Sequence, residues 1–132
     1  MMMTSLRRLS VWKMTAGHCA YCGLALCPDN VESISGGAQS WMEIDHITSP
    51  KDGGGEEMSN LLPSCSSCNA SKGRKCLEAY RHQQARKLSG RPHIPRDVLD
   101  WLVSVGITLP DLPHHKFWFE LHGVSCLPEA AE

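Results

Sequence analysis

Residues 41–73 read WMEIDHITSPKDGGGEEMSNLLPSCSSCNASKG, and this stretch decides the fold. Glu43 to Ile47 alternates polar and apolar residues as a half-buried strand does. A Gly-Gly-Gly turn in a polar loop then reverses the chain toward a second short apolar run at Leu61 and Leu62. Pro63 ends that run. Cys65 and Cys68 introduce a segment from Ser66 to Lys72 that has helix-forming residues, and Gly73 stops it. The predicted unit is strand, loop, strand, helix. It gathers an acid, a histidine, two asparagines and a cysteine pair, which marks it as a candidate active site.

Working outward, the second cysteine pair has a counterpart upstream. Cys19 and Cys22 lie in HCAYCG, Cys65 and Cys68 in PSCSSCN, so each pair can turn a tight knuckle and present two thiolates to one tetrahedral zinc. With seven cysteines, an odd number, and no apparent export signal, paired C-x-x-C spacing points to metal rather than disulfides. Four reduced cysteines buried as small hydrophobes are the plain alternative. Cys27 is near enough to the first knuckle to be a spare ligand, while Cys76 and Cys126 read as ordinary thiols.

At 132 residues the chain is read as one domain, with a core over residues 17–73, an extension over 74–122 and a tail over 123–132. A net charge of −1 and 42% hydrophobic residues describe an ordinary globule that needs a staple, and no apolar run nears the roughly 18 residues of a membrane span. No membrane association and a cytoplasmic location are expected, the host cytoplasm if the gene is of phage origin. A lead-in helix is predicted from Ser5 to Ala16, with Trp12 against the first knuckle. The Cys27–Ser40 segment reads as a loop. Further helices are predicted over about Lys75–Leu88 and Pro95–Val105, the latter with Val98, Leu99, Leu102 and Val103 buried, followed by a strand in KFWFELH. Lys72, Arg74, Lys75, Arg81, Arg86, Lys87, Arg91 and Arg96 face the single acid Glu78 between residues 72 and 96, a footprint for a phosphate backbone or else a solvated helix face. Arg74, Lys75 and Arg81 are the DNA-binding candidates.

In the central stretch, Asp45 and Asn69 offer hard oxygen donors for a magnesium or manganese ion that keeps positions for water and a substrate phosphate. His46 suits a general base acting on a water. Adjacent strand residues face opposite ways, so joint service at one site requires the strand to bulge or end at Asp45 and His46. Glu43 shares the face of Asp45 and is a supporting group. The Asn60 amide can tie across to the loop after His46. Lys72, one turn after Asn69, is a second supporting group that could hold a scissile phosphate.

Asp-His-Ile, the Gly-rich loop, Asn-Leu, Cys-x-x-Cys-Asn and Lys in this order resemble the HNH endonuclease family, in the variant whose last histidine is asparagine. The resemblance spans about Gly17 to Gly73. It implies an α+β fold, the ββα-metal (His-Me finger) core with a four-cysteine zinc knuckle pair, flanked by additional helices. It also implies roles: His46 as general base, Asn60 supporting the hairpin, Asp45 and Asn69 binding the catalytic divalent ion. The implied activity is hydrolysis of a phosphodiester in double-stranded DNA, leaving a 5′-phosphate and a 3′-hydroxyl, with a protein partner or a dimer supplying any strong specificity. A noncatalytic zinc-containing nucleic-acid-binding module and a protein adaptor on the same zinc fold are the rival classes.

Overall fold

The structure is a computed structural model that describes residues 6–28 and 40–124. The chain packs as two units, one within Met1–Leu77 and Lys116–Glu132, the other Glu78–His115.

The first unit contains the predicted hairpin and helix. β3 (Glu43–His46) pairs antiparallel with β4 (Leu61–Ser64), in the register Glu43↔Ser64, Ile44↔Pro63, Asp45↔Leu62 and His46↔Leu61. All of β4 is buried, so its apolar residues carry the core that the loop between the strands cannot supply. α2 (Ser66–Lys72) follows at once, its N-terminus capped by the Cys65 sulfur, which accepts from the Cys68 amide. Before the hairpin, α1 (Leu6–Met14) packs on β4 with Val11 fully buried. Its Trp12 indole donates to the Leu26 carbonyl at 2.9 Å. The Arg8 guanidinium donates to the carbonyls of Pro28 and Met42, tying α1 to the ends of two short parallel strands, β1 (Leu26–Cys27) and β2 (Ser40–Trp41). The remainder of the predicted Cys27–Ser40 loop lies outside the described residues.

The KFWFELH segment differs from expectation. Phe117 is extended, but Trp118–Leu121 form one helical turn, α5, because the Glu120 carboxylate accepts from the Phe117 amide and caps it. Phe117 and Phe119 are both buried and flank Tyr21, while Leu121, expected on their side, is exposed. The amides of Trp118 and Phe119 donate to the carbonyls of Tyr21 and Ala20, strapping this segment onto the first knuckle. Gly23 has φ +83 and abuts the Trp118 ring, which a Cβ would meet at 2.3 Å, so the knuckle needs glycine there. The predicted tail falls largely outside the described residues.

The second unit holds most of α3 (Leu77–Leu88) and α4 (Arg96–Ser104). α3 starts two residues later than predicted, beyond the Gly73 turn. The expected buried stripe of α4 is also corrected: no residue of α4 is buried, and Val98, Trp101 and Val103 are exposed. Hydrophobic periodicity marks the apolar side of a helix, but it does not provide an element to cover that side. The unit is held by polar stays, with Arg81 donating to the His115 carbonyl and Arg91 to that of Pro110. No helix among the described residues is long and apolar enough to cross a membrane.

Candidate active site

The four predicted cysteines converge. The sulfurs of Cys19, Cys22, Cys65 and Cys68 all lie within 4.8 Å of one another, and Cys22 and Cys65 are 3.8 Å apart. Four thiolates around a tetrahedral zinc at about 2.3 Å would stand about 3.8 Å apart, so donor type and spacing both fit a structural zinc. Cys27 is not part of this group. The first knuckle is shaped by the His18↔Ala25 bridge and by the Cys19 amide donating to the Leu24 carbonyl. The second is the start of α2. Protonation is uneven across the thiols. A hydrogen bond from Cys68 pulls the Cys19 thiol down to about 5 against the opposing effect of burial, whereas burial pushes the Cys22 thiol up to about 11.

β3 sends alternate side chains to different partners. Glu43 and Asp45 meet α2: the Asn69 amide donates to Glu43 Oε1 at 2.7 Å, and the Lys72 ammonium lies 3.3 Å from Asp45 Oδ2. Asn69 and Lys72 are three apart on the helix and share a face, so strand and helix meet through two polar rungs. Asp45 is only 3% exposed, and its Oδ2 also accepts from the Tyr21 hydroxyl at 2.5 Å. Burial pushes the Asp45 carboxyl above its usual range, with Tyr21 and Lys72 opposing. Lys72 donates as well to the carbonyls of His46, at 3.1 Å, and Ile47, at 3.5 Å. Its side chain is 1% exposed, so it is a buried counter-ion rather than the phosphate-holding cation expected.

β3 ends at His46 without a bulge. The His46 ring has a different partner from its neighbour: Nε2 lies 2.8 Å from the carboxylate of Glu56, in the loop between the strands. That loop is closed by Asn60, as its position before β4 predicted. The Asn60 side chain accepts from the Thr48 amide at 2.8 Å and donates to the carbonyls of Thr48, at 3.1 Å, and Gly55, at 2.8 Å. Two participants were not read from sequence, Tyr21 and Glu56. A tyrosine between two knuckle cysteines was the only hint of the first. No spacing rule links a residue of an irregular loop to a strand side chain, so Glu56 left no signal.

The candidate DNA-binding cations fare differently. Lys75 is exposed, donating to the Ser71 carbonyl of its own helix end, and Arg74 is exposed in a two-point pair with Asp52. Arg81 is 7% exposed and engaged by Glu78 and the His115 carbonyl, which corrects its assignment to a solvent-facing basic side.

A family model described as HNH endonuclease matches residues 19–75, from the first cysteine of the cluster to just past α2. No curated protein and no solved structure matches the chain. Within the matched range the β3–β4 hairpin, α2 and the four-cysteine cluster give a mixed α+β arrangement consistent with an HNH-like ββα-metal segment.

Proposed function

We propose that this HNH endonuclease segment makes the protein a divalent-metal-dependent DNA endonuclease with His46 as general base. The observation that carries the proposal is the coincidence of the family match over residues 19–75 with a loop closed by Asn60, which leaves the His46 side chain 25% exposed at the end of β3. A histidine so placed can take a proton from a water attacking a phosphodiester while its backbone stays fixed by Lys72 and the hairpin.

Asp45, Asn69 and Glu43 supply hard oxygen donors side by side on β3 and α2, a set that fits magnesium or manganese in kind, and Asp45 with Asn69 would hold the ion. Bound there, such an ion supplies charge stabilisation to the phosphate and leaving oxygen. Asp45 would then divide its charge between the ion and Lys72. Arg74 and Lys75, exposed just past α2, are cations that backbone phosphates can engage, Arg74 by exchanging its pair with Asp52. Two such groups support weak binding to double-stranded DNA with little sequence preference, so strong specificity would require a partner or a second copy. The four-thiolate site belongs in a reducing compartment, which supports a cytoplasmic location.

The test is incubation of the protein with supercoiled plasmid, with and without magnesium or manganese, beside His46→Ala. Nicking or cutting is expected to need the ion and to be about 10²- to 10⁴-fold slower in His46→Ala, and equal cleavage by His46→Ala would remove His46 from the mechanism. One observation favours a second reading, a noncatalytic zinc module that binds nucleic acid: Asp45 is buried against Lys72 and Tyr21. Ion-independent binding without cleavage in the same experiment would select it.

A further inference from the structure

The Gly-rich loop between the strands is more than a connection. A Cβ on Gly54 would lie 1.8 Å from the Thr48 carbonyl oxygen, so the backbone there is drawn in too closely for a side chain, whereas a Cβ on Gly55 would meet only the movable end of Glu57. The Gly55 carbonyl is held by the Asn60 amide at 2.8 Å, and the next residue is Glu56, whose Oε2 meets His46 Nε2 at 2.8 Å. A chain of fixed points thus runs from Asn60 through Gly55 to Glu56 and the His46 ring. The backbone of His46 is fixed separately, by the Lys72 ammonium on its carbonyl.

We propose that Glu56 is a positioning residue for His46: its carboxylate accepts from Nε2–H, sets the ring's direction and tautomer, and leaves Nδ1 as the nitrogen that receives a proton. The inference rests on the nuclease reading above. A carboxylate is an acceptor only, so the neutral ring bonded to it must carry its hydrogen on Nε2. Glu56 is 70% exposed, and ion pairs that open to solvent add little to stability. A purely structural role therefore leaves little to lose, whereas a base held in the wrong tautomer or direction loses turnover.

The experiment compares Glu56→Ala, Glu56→Gln, His46→Ala and the double variant His46→Ala/Glu56→Ala as full-length, zinc-loaded chains cleaving supercoiled plasmid in magnesium. Glu56→Ala is expected to lower kcat about 10- to 100-fold, the range typical of groups that orient a functional histidine, with KM and thermal midpoint nearly unchanged. Glu56→Gln, which keeps an acceptor oxygen, should recover part of the loss. The double variant should be no slower than His46→Ala, because a residue acting through His46 has nothing to act on once the ring is gone. An unchanged kcat in Glu56→Ala, or a double variant slower than His46→Ala, overturns the proposal. A second readout does not need activity: nitrogen-15 spectra of the histidine rings, in buffer basic enough to keep them neutral, should show His46 with its hydrogen on Nε2 and lose that preference in Glu56→Ala. A wild type with its hydrogen on Nδ1 overturns the proposal as well. Should the wild type cut no DNA, the nuclease reading fails, and the ring spectra still decide whether Glu56 sets the tautomer.

Discussion

Lys72 shows how much a single buried charge decides. Taking an ammonium to 1% exposure removes nearly all its hydration, and it persists there because Asp45 and the carbonyls of His46 and Ile47 replace the water. Lys72→Met should therefore leave Asp45 as a buried carboxylate without its counter-ion and destabilise the fold by about 3–5 kcal/mol in urea denaturation. Neutralising both, Lys72→Met with Asp45→Asn, should recover part of that loss. A single variant as stable as the wild type would show the pair to be incidental. The identity of the residues was legible in the sequence, since Asp-His and Asn-x-x-Lys fall where strand and helix place them. The destination of the lysine was not. Spacing put it one turn after Asn69, but whether that side faces the strand or a ligand depends on how α2 docks, which no local pattern encodes.

At the scale of elements, the loop from Ile47 to Asn60 stays shaped although it contains few apolar residues, because Asn60 substitutes for a core. Its amide satisfies three backbone groups of residues 48 and 55. Asn60→Ala should cost about 2–3 kcal/mol, the range for leaving part-buried polar groups without partners. It should also speed amide exchange at Thr48 and slow any cleavage by freeing Glu56. Normal protection of the Thr48 amide in that variant would contradict the assignment. The hairpin and α2 were readable because alternation, a glycine turn and a helix stop agreed with one another. The turn of α5 was not. Phe117, Phe119 and Leu121 alternate as a strand would, yet two buried aromatics need only one extended residue ahead of a helical turn to face the same way. α4 failed for a different reason: Leu99 and Leu102 of its stripe are only half-buried while Val98 and Val103 open to solvent, a degree of cover that periodicity does not encode.

For the whole molecule, the first unit joins α1, a knuckle, a hairpin, a short helix and a C-terminal strap around few large side chains, so the four-sulfur site is expected to bear much of its stability. Zinc in such sites contributes about 10 kcal/mol or more to folding. A strong chelator, or Cys65→Ser, should therefore unfold this unit, followed by the loss of tyrosine and tryptophan fluorescence signatures of Tyr21 and Trp118. The pH dependence has a definite sign. Without metal, Cys22 at about 11 still holds its proton at neutral pH while Cys19 at about 5 does not, so metal binding must expel at least the Cys22 proton. Affinity for zinc should fall as pH falls, and competition with a chromophoric chelator between pH 8 and pH 6, roughly spanning neutrality, would measure it. No change would mean the thiols are already ionised. The strap has a further consequence for how the protein is made. A ribosome delivers the chain from its N-terminus, so all four sulfur ligands and the whole family-matched stretch exist before Phe117 and Phe119 do. Until those two aromatics and Trp118 between them arrive, the newborn knuckle must present the Tyr21 ring and Gly23 uncovered, and a translation product cut short before Lys116 would own every residue of the candidate site yet never seal it.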